Sequence, residues 1–400
     1  MIATPTHAES LATGRPVVLQ VVPALETGGV ERGTVDVAVF LKRAGAMPIV
    51  VSEGGLWVHE LERNGVLHIT LPMASKNPFV MRANVARLEA IIRDHEVDIV
   101  HARSRAPAWS GFFAAKRTGV HFMTTYHAAY KGRSPLKKFY NSVMARGERV
   151  IAISQFIASH IRELYPEVAP LVRTVVRGID LFKFNPENVT GERMISLAQD
   201  WRLPDEKKVV LCHGRITRIK GHEVLLKALA RLERRDFICV LSGSDQGRDG
   251  YSAELEQLAI DLGLEGHVTM VGNPTDLPTA YMLADVVVVP SIVPEGFGRV
   301  PVEAQAMGRP VVVSNSGGLR ETMLEGETGW LVRVNDPQEL AEAINAALDL
   351  TPAQRHVLAA RAIQNVHAHF SKDEMCWATL DVYQELYGKP VAWQQEKAAG

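Results

Sequence analysis

Cysteine is scarce: three residues in 400, Cys212, Cys239 and Cys376. They lie too far apart for a metal-ligand spacing. Cys212 and Cys239 stand in apolar, strand-like runs, so they read as reduced core residues and imply a reducing compartment, the cytoplasm. Neither charge is in excess: 44 Lys+Arg against 45 Asp+Glu leave a formal net charge of −1. A chain without a basic field is not expected to take nucleic acid as a partner. No run approaches the ~18–20 apolar residues of a membrane span. The most apolar stretch, 284–293, contains Asp285, Pro290 and Ser291 and reads as a buried parallel strand. Residues 1–15 are small and polar, lack the apolar core of a secretory signal, and read as a disordered tail. Short-period repeats are also missing.

What is present is alternation. A chain of 400 residues is too long for one ordinary core and fits two domains. Runs at 17–22, 48–52, 66–71, 99–102, 122–126, 149–153 and 172–177 are β-branched and apolar on both faces, as parallel strands covered by helices are. Helical periodicity lies between them, at 31–44 and 83–94 among others. The pattern breaks over 178–205, with Pro186, Gly191 and Pro204, and restarts at 209–212, 237–242, 268–271, 286–290 and 311–314. From Leu340 the pattern is helical, interrupted at Thr351-Pro352, a cap with proline at the first helical position. The expected fold class is α/β: two Rossmann-like doubly wound domains facing across a cleft. The expected boundaries are a tail at 1–15, a first Rossmann-like domain at 16–185, a second at 186–370, and a final helix and tail at 371–400.

In open α/β sheets ligands bind beyond the carboxyl ends of strands. After the strand at 209–212 the chain reads His213-Gly214-Arg215-Ile216-Thr217-Arg218-Ile219-Lys220-Gly221 and then enters a helix. A glycine turn admits close backbone approach. Arg215, Lys220 and a helix N-terminus all favour an anion such as a diphosphate. Arg218 is either a third contact or a solvated charge. After the strand at 286–290 comes Ser291-Ile292-Val293-Pro294-Glu295-Gly296-Phe297-Gly298-Arg299-Val300-Pro301-Val302-Glu303. Glu295 ends a loop and Glu303 lies one turn into a helix. A carboxylate accepts hydrogen bonds from paired hydroxyls, which a sugar ring or a ribose offers. An exposed helix residue is the plainer reading of Glu303 alone.

Glu-x7-Glu after a strand, preceded by Gly-Arg-x4-Lys-Gly, resembles the retaining glycosyltransferases of family 4, which have the GT-B fold. Gly317-Gly318-Leu319-Arg320-Glu321, Gly326-Glu327-Thr328-Gly329-Trp330-Leu331-Val332 and the loop Thr27-Gly28-Gly29-Val30-Glu31-Arg32 resemble further family segments. The similarity spans about residues 17–385. The stretches Ser52-Glu53-Gly54-Gly55, 101–109 and 140–147 are similar to bacterial lipopolysaccharide-core glycosyltransferases. One departure is Arg177-Gly178-Ile179-Asp180, where the family often has Asn before the Gly-Val-Asp turn; it touches the hinge more than the donor site.

The resemblance implies a nucleotide-diphosphate sugar as donor substrate. Arg215 and Lys220, with Gly214, hold its diphosphate. Glu295 binds sugar hydroxyls, Gly296, Phe297 and Gly298 give backbone contacts, and Glu303 binds the ribose. Gly28 and Gly29 let the first loop close on the donor. His127, after the strand at 122–126, matches a family histidine with a catalytic or sugar-positioning role; His101 reads as structural. No cofactor and no metal are expected: no Asp-x-Asp pair appears, and Arg215, Lys220 and helix N-termini meet the charge of the leaving diphosphate. The implied acceptor is a glycan or glycolipid, in envelope polysaccharide or lipopolysaccharide-core synthesis.

Between Asp98 and Glu148 there is no acidic residue but nine basic ones: Arg103, Arg105, Lys116, Arg117, Lys131, Arg133, Lys137, Lys138 and Arg146. Leu136, Phe139, Tyr140 and Val143 recur there at helical spacing. The stretch reads either as a core-packing helix with a solvated basic face or as a surface for an anionic acceptor or membrane. Arg103 and Arg105 are the acceptor candidates; Lys131, Arg133, Lys137 and Lys138 are the membrane candidates. Three rivals remain: a nicotinamide-dependent oxidoreductase, a nucleotide-sugar epimerase and a non-catalytic binding protein. The first relies on Gly28-Gly29-Val30-Glu31-Arg32-Gly33 and Glu53, but Val30 stands where the dinucleotide fingerprint needs its middle glycine.

Overall fold

The computed structural model describes residues 14–26, 28–130, 132, 134–245, 249–389, 391 and 393. Of the expected tail, only Gly14 and Arg15 fall among them. The chain divides into two compact units: residues up to Val176 together with those from Lys372 on, and Arg177–Ser371. The first division comes earlier than residue 185 because the connecting segment bonds within the second unit. Ile179 N–H donates to Phe370 O (2.8 Å), and the Phe184 ring lies against Tyr281.

The first unit holds seven strands: β1 Val17–Val21, β2 Met47–Ser52, β3 Leu67–Thr70, β4 Ile99–Ala102, β5 His121–Tyr126, β6 Arg149–Ala152 and β7 Val172–Thr174. Their order is β3-β2-β1-β4-β5-β6-β7 and every pairing is parallel. The second unit holds six: β8 Lys208–His213, β9 Phe237–Ser242, β10 Val268–Val271, β11 Val286–Val289, β12 Val311–Ser314 and β13 Gly329–Val332. Their order, β10-β9-β8-β11-β12-β13, is parallel and repeats the plan of the first. Strands buried on both faces explain the unbroken apolar runs: all five residues of β1 and all four valines of β11 are buried.

Helices fill the crossovers. The helix expected at 83–94 is longer, Pro78–Asp94, because Asn77 caps it by accepting from Phe79 N–H and Pro78 takes the first turn. Thr351 and Gln354 form a capping box ahead of Pro352–His369. The last helix, Lys372–Tyr387, belongs to the first unit. Its Cys376, Leu380, Tyr383 and Leu386 share a core with Val18, Leu41 and Ile99, and Phe40 meets Trp377 edge-on at 5.0 Å. Burial of such side chains stabilises by about 1.5–3 kcal/mol each. Among the described residues no helix is long and apolar enough to cross a membrane.

Candidate functional site

In the second unit the strand order reverses between β8 and β11, where ligands of open α/β sheets bind. The register sets Val286 beside Val210 and Val287 beside Leu211, so the loops leaving both strands emerge side by side. They touch through backbone. Ile292 N–H donates to Ile219 O (3.0 Å). Gly221 has a φ of 75°, and a Cβ there would stand 1.9 Å from Pro290 O, so only glycine fits. A short 3-10 turn, Arg218–Lys220, then feeds the helix His222–Leu229.

This closeness brings two of the expected side chains together. Lys220 Nζ lies 2.8 Å from Glu295 Oε1. Ser291 Oγ donates to the same oxygen. Both bonds fall on Oε1, so Oε2 has no bonded partner among the described residues and is available to an incoming hydroxyl. Glu295 is fixed from behind by Gly317 and Gly318. Gly318 N–H donates to Glu295 O (2.8 Å), and a Cβ on Gly318 would sit 2.5 Å from Gly296 O. Those glycines therefore let one loop pass beneath the other.

Glu303, in the helix Arg299–Ala306, is only 3% exposed, which removes the plain surface reading. Arg299 Nη2 and Nε donate to its Oε1 (2.8 and 3.1 Å), and the buried Tyr281 hydroxyl donates to Oε2 (2.9 Å). Burial and the neighbouring carboxylate push the Tyr281 phenol well above its ordinary pKa, so it stays a donor. His213 stands edge-on to Tyr281, with Nδ1 2.9 Å from Ser242 Oγ. Burial lowers its pKa below the ordinary histidine value.

Arg215 is exposed on the β8 loop, with no hydrogen bond or ion pair among the described residues. Arg218 has the opposite character: it pairs with Glu223 (2.9 Å) and Glu254 and lies over the Tyr251 ring. In this structure Arg218 is an exposed charge paired within its own unit. Gly214 lies on the same loop. Phe297 is buried, and Gly298 immediately precedes Arg299–Ala306 with no side-chain cap on that helix. Among the described residues no three His, Cys, Asp or Glu side chains are grouped to hold a metal ion.

Gly28, Gly29 and His127 lie in the first unit. Gly28 and Gly29 form the N-terminus of Gly29–Arg43, and His127 follows β5, half-buried. His101 is buried, bonded through Nδ1 to the Tyr383 hydroxyl and through Nε2 to Thr125 Oγ1, both at 2.7 Å.

The basic stretch needs correction. Arg103 is 5% exposed, with Nη1 donating to Gln20 Oε1 (2.9 Å). It is a core residue and not a surface contact for an acceptor. Arg105 is half-buried, bonded to Asn141 Oδ1 and stacked over Tyr130 at 4.4 Å. Arg117 is paired with Glu89 from another helix (2.8 Å), so the acid-free sequence is not an acid-free surface. Lys137 and Lys138 are exposed. Lys131 and Arg133 lie outside the described residues.

Tyr281, Arg299 and Ser291 were not singled out from the sequence. Arg299 and Ser291 each stand four residues before a site carboxylate, a spacing that could have found them. Tyr281 is 22 residues from Glu303 and has no local signal.

Comparison with known proteins agrees with this fold. Residues 195–365 match the family model "Glycosyl transferases group 1", and residues 27–182 match "Glycosyltransferase Family 4". A D-inositol 3-phosphate glycosyltransferase of Salinispora tropica is 30% identical over 375 residues, 88% of this chain and 77% of that protein. A crystal structure of a glycosyltransferase from Rickettsia africae is 37% identical with a TM-score of 0.87, covering 94% of this chain and 100% of that one. The Anabaena protein Alr3699/HepE, solved with UDP and glucose, shares the fold at a TM-score of 0.81 and 23% identity, covering 92% of this chain and 99% of that one. With two parallel-sheet α/β domains of GT-B type, the chain belongs to the group 1/family 4 glycosyltransferases.

Proposed function

We propose that the chain moves a sugar from a nucleoside-diphosphate sugar to a hydroxylated acceptor that carries phosphate, with retention of anomeric configuration and without a metal. The carrying observation is Glu295, held by Lys220 and Ser291 through one oxygen with the other left open. That arrangement suits a carboxylate that orients donor-sugar hydroxyls while its lysine partner reaches the diphosphate. Glu303, anchored by Arg299 and Tyr281, takes the ribose.

In the reaction the bond from sugar C1 to the β-phosphate oxygen breaks. The acceptor hydroxyl oxygen bonds C1 on the same face, and its proton passes to the departing phosphate oxygen. Arg215, Lys220 and the N-termini of His222–Leu229 and Arg299–Ala306 meet the growing negative charge. A UDP-sugar is the first donor to try, since the Anabaena neighbour was solved with UDP and with UDP-glucose.

Two acceptor sources share the phosphate chemistry. Relatives at 30–32% identity are named for D-inositol 3-phosphate. An envelope or lipopolysaccharide-core acceptor has its support in the sequence motifs and in neighbours of 15–17% identity, which share the fold alone. The test is release of nucleoside diphosphate from a panel of nucleotide sugars, with D-inositol 3-phosphate in one arm and a phosphorylated core glycan in the other. Proton NMR reads the anomer, and every reaction is run with and without EDTA. The expected product keeps the donor's anomeric configuration, and its formation survives the chelator. An inverted product, or activity lost to EDTA and restored by Mg²⁺, overturns the mechanism. Failure of both acceptors to elicit nucleoside diphosphate release overturns the acceptor class.

A further inference from the structure

A groove of about 990 Å³ opens on the first unit, among the helices Pro78–Asp94, Arg105–Thr118 and Pro135–Ser142. Its walls are Met81, Val85, Trp109, Phe113 and Phe139. The Trp109 indole donates internally to Tyr140 O (3.1 Å), so it presents only carbon to the groove. Its ring lies 5.0 Å from that of Phe139. The lip is left in water: Leu136 is 78% exposed, Phe139 57% and Phe113 42%. An apolar opening of this size on a folded domain marks a binding surface.

The charge around it selects the occupant. Lys76, Arg82 and Lys137 stand on the rim, all exposed. Arg146 lies over the Trp109 ring at 5.1 Å and near Phe139 at 5.7 Å. No carboxylate lines the groove among the described residues. A second copy docked symmetrically through this patch would set one cationic rim against the other, which is repulsive. From this apolar interior under a cationic rim we infer that the groove takes one hydrocarbon chain of an anionic phospholipid at a bilayer surface, with the headgroup against Lys76, Arg82 and Lys137.

The helix Pro135–Ser142 is built for such a place. Ser134 caps it, Leu136 and Phe139 point outward, and Lys137 and Lys138 stand beside them. It lies flat at an interface better than it covers a core. One chain alone anchors weakly, and a basic patch supplies the second signal needed for stable docking. Each methylene withdrawn from water strengthens binding about fourfold. Each basic side chain near an anionic surface contributes roughly fivefold.

Trp109 supplies the test. The full chain is mixed with vesicles of equal parts phosphatidylcholine and phosphatidylglycerol, the latter brominated at mid-chain, and tryptophan emission is read. Bromine quenches only within contact range, so quenching reports a chain in the groove. The expected result is quenching of the wild type by brominated anionic vesicles, absent in Trp109→Phe. Leu136→Asp and Lys137→Glu, both at exposed positions, should weaken vesicle co-sedimentation by roughly tenfold or more while thermal midpoints stay at the wild-type value. Binding should fall as salt rises through about 0.15 M. The inference is overturned by equal quenching in Trp109→Phe, by equal binding to phosphatidylcholine alone, or by a wild-type dimer that Leu136→Asp dissociates.

Discussion

The two sheets share one strand plan, yet the loops at their reversal points differ. In the first unit β4 runs into the helix Arg105–Thr118 after two residues, Arg103 and Ser104. In the second, nine residues separate β11 from Arg299–Ala306. The short connection leaves Arg103 no outward path, and it turns inward to Gln20. Burial holds its pKa below the ordinary arginine value. The longer loop lets Glu295 reach Lys220 across the strand gap. Topology supplies a place for a ligand, and loop length decides whether polar side chains face it.

The contrast breaks most completely at Gly221. Alanine there would force its methyl against Pro290 O at a φ that L-residues rarely adopt. Gly221→Ala is expected to abolish nucleotide-sugar binding in a thermal-shift assay while the far-UV spectrum stays native. Undiminished binding would show that contact of the two loops is not needed.

Next in size is the charged pair. Lys220→Ala or Arg215→Ala should lower kcat/KM by roughly a hundredfold, or about 3 kcal/mol of transition-state stabilisation. Glu295→Gln should act mainly on turnover and Glu303→Gln mainly on donor affinity. Identical effects of the two carboxylate changes would undo their division of labour.

Of comparable size, but on stability, is the effect of acid on the second unit. His222 is wholly buried beside the Tyr251 ring, and burial lowers its pKa from 6.5 to about 4. The unfolded chain takes up this proton near 6.5 and the folded chain only near 4, so stability is full above 6.5 and falls as pH drops toward 4. The loss approaches about 3 kcal/mol. Urea melts of His222→Gln should lack this part of the slope; an unchanged slope would assign it elsewhere.

Much of this was legible from residue order alone. The paired runs and the break near residue 178 are local patterns, and so are the Arg215/Lys220 and Glu295/Glu303 motifs, each carried on one loop and the helix it enters. Tyr281 was not legible, because its bond to Glu303 joins the helices on either side of β11 across 22 residues, with no repeating spacing to mark it. Neither was the burial of Arg103, since a basic residue after a strand reads the same whether its helix begins two residues later or nine. The acid-free stretch misled for a related reason: Glu89, which neutralises Arg117, comes from a different helix.

Tyr281→Phe makes that hidden contact measurable. It leaves Glu303 Oε2 without its donor and should cost about 1–3 kcal/mol, seen in donor Kd with turnover at saturation retained. The smallest effect belongs to Arg103→Met. Replacing a buried cation that bonds only a neutral amide should change stability by less than about 1 kcal/mol in either direction and leave acceptor KM as it was. A raised acceptor KM in a well-folded variant would return Arg103 to the acceptor site.

The helix Lys372–Tyr387 has a consequence for synthesis. Cys376, Leu380 and Tyr383 complete a core begun by Val18 and Ile99, yet they leave the ribosome long after the strands they cover. The second unit, Arg177–Ser371, is finished before them and can fold on emergence. The first unit waits, its sheet face uncovered and open to chaperones, until the helix Lys372–Tyr387 has emerged. A message cut short before Lys372 would therefore give a well-formed second unit joined to a first unit that aggregates, and the defect would lie in the half made first.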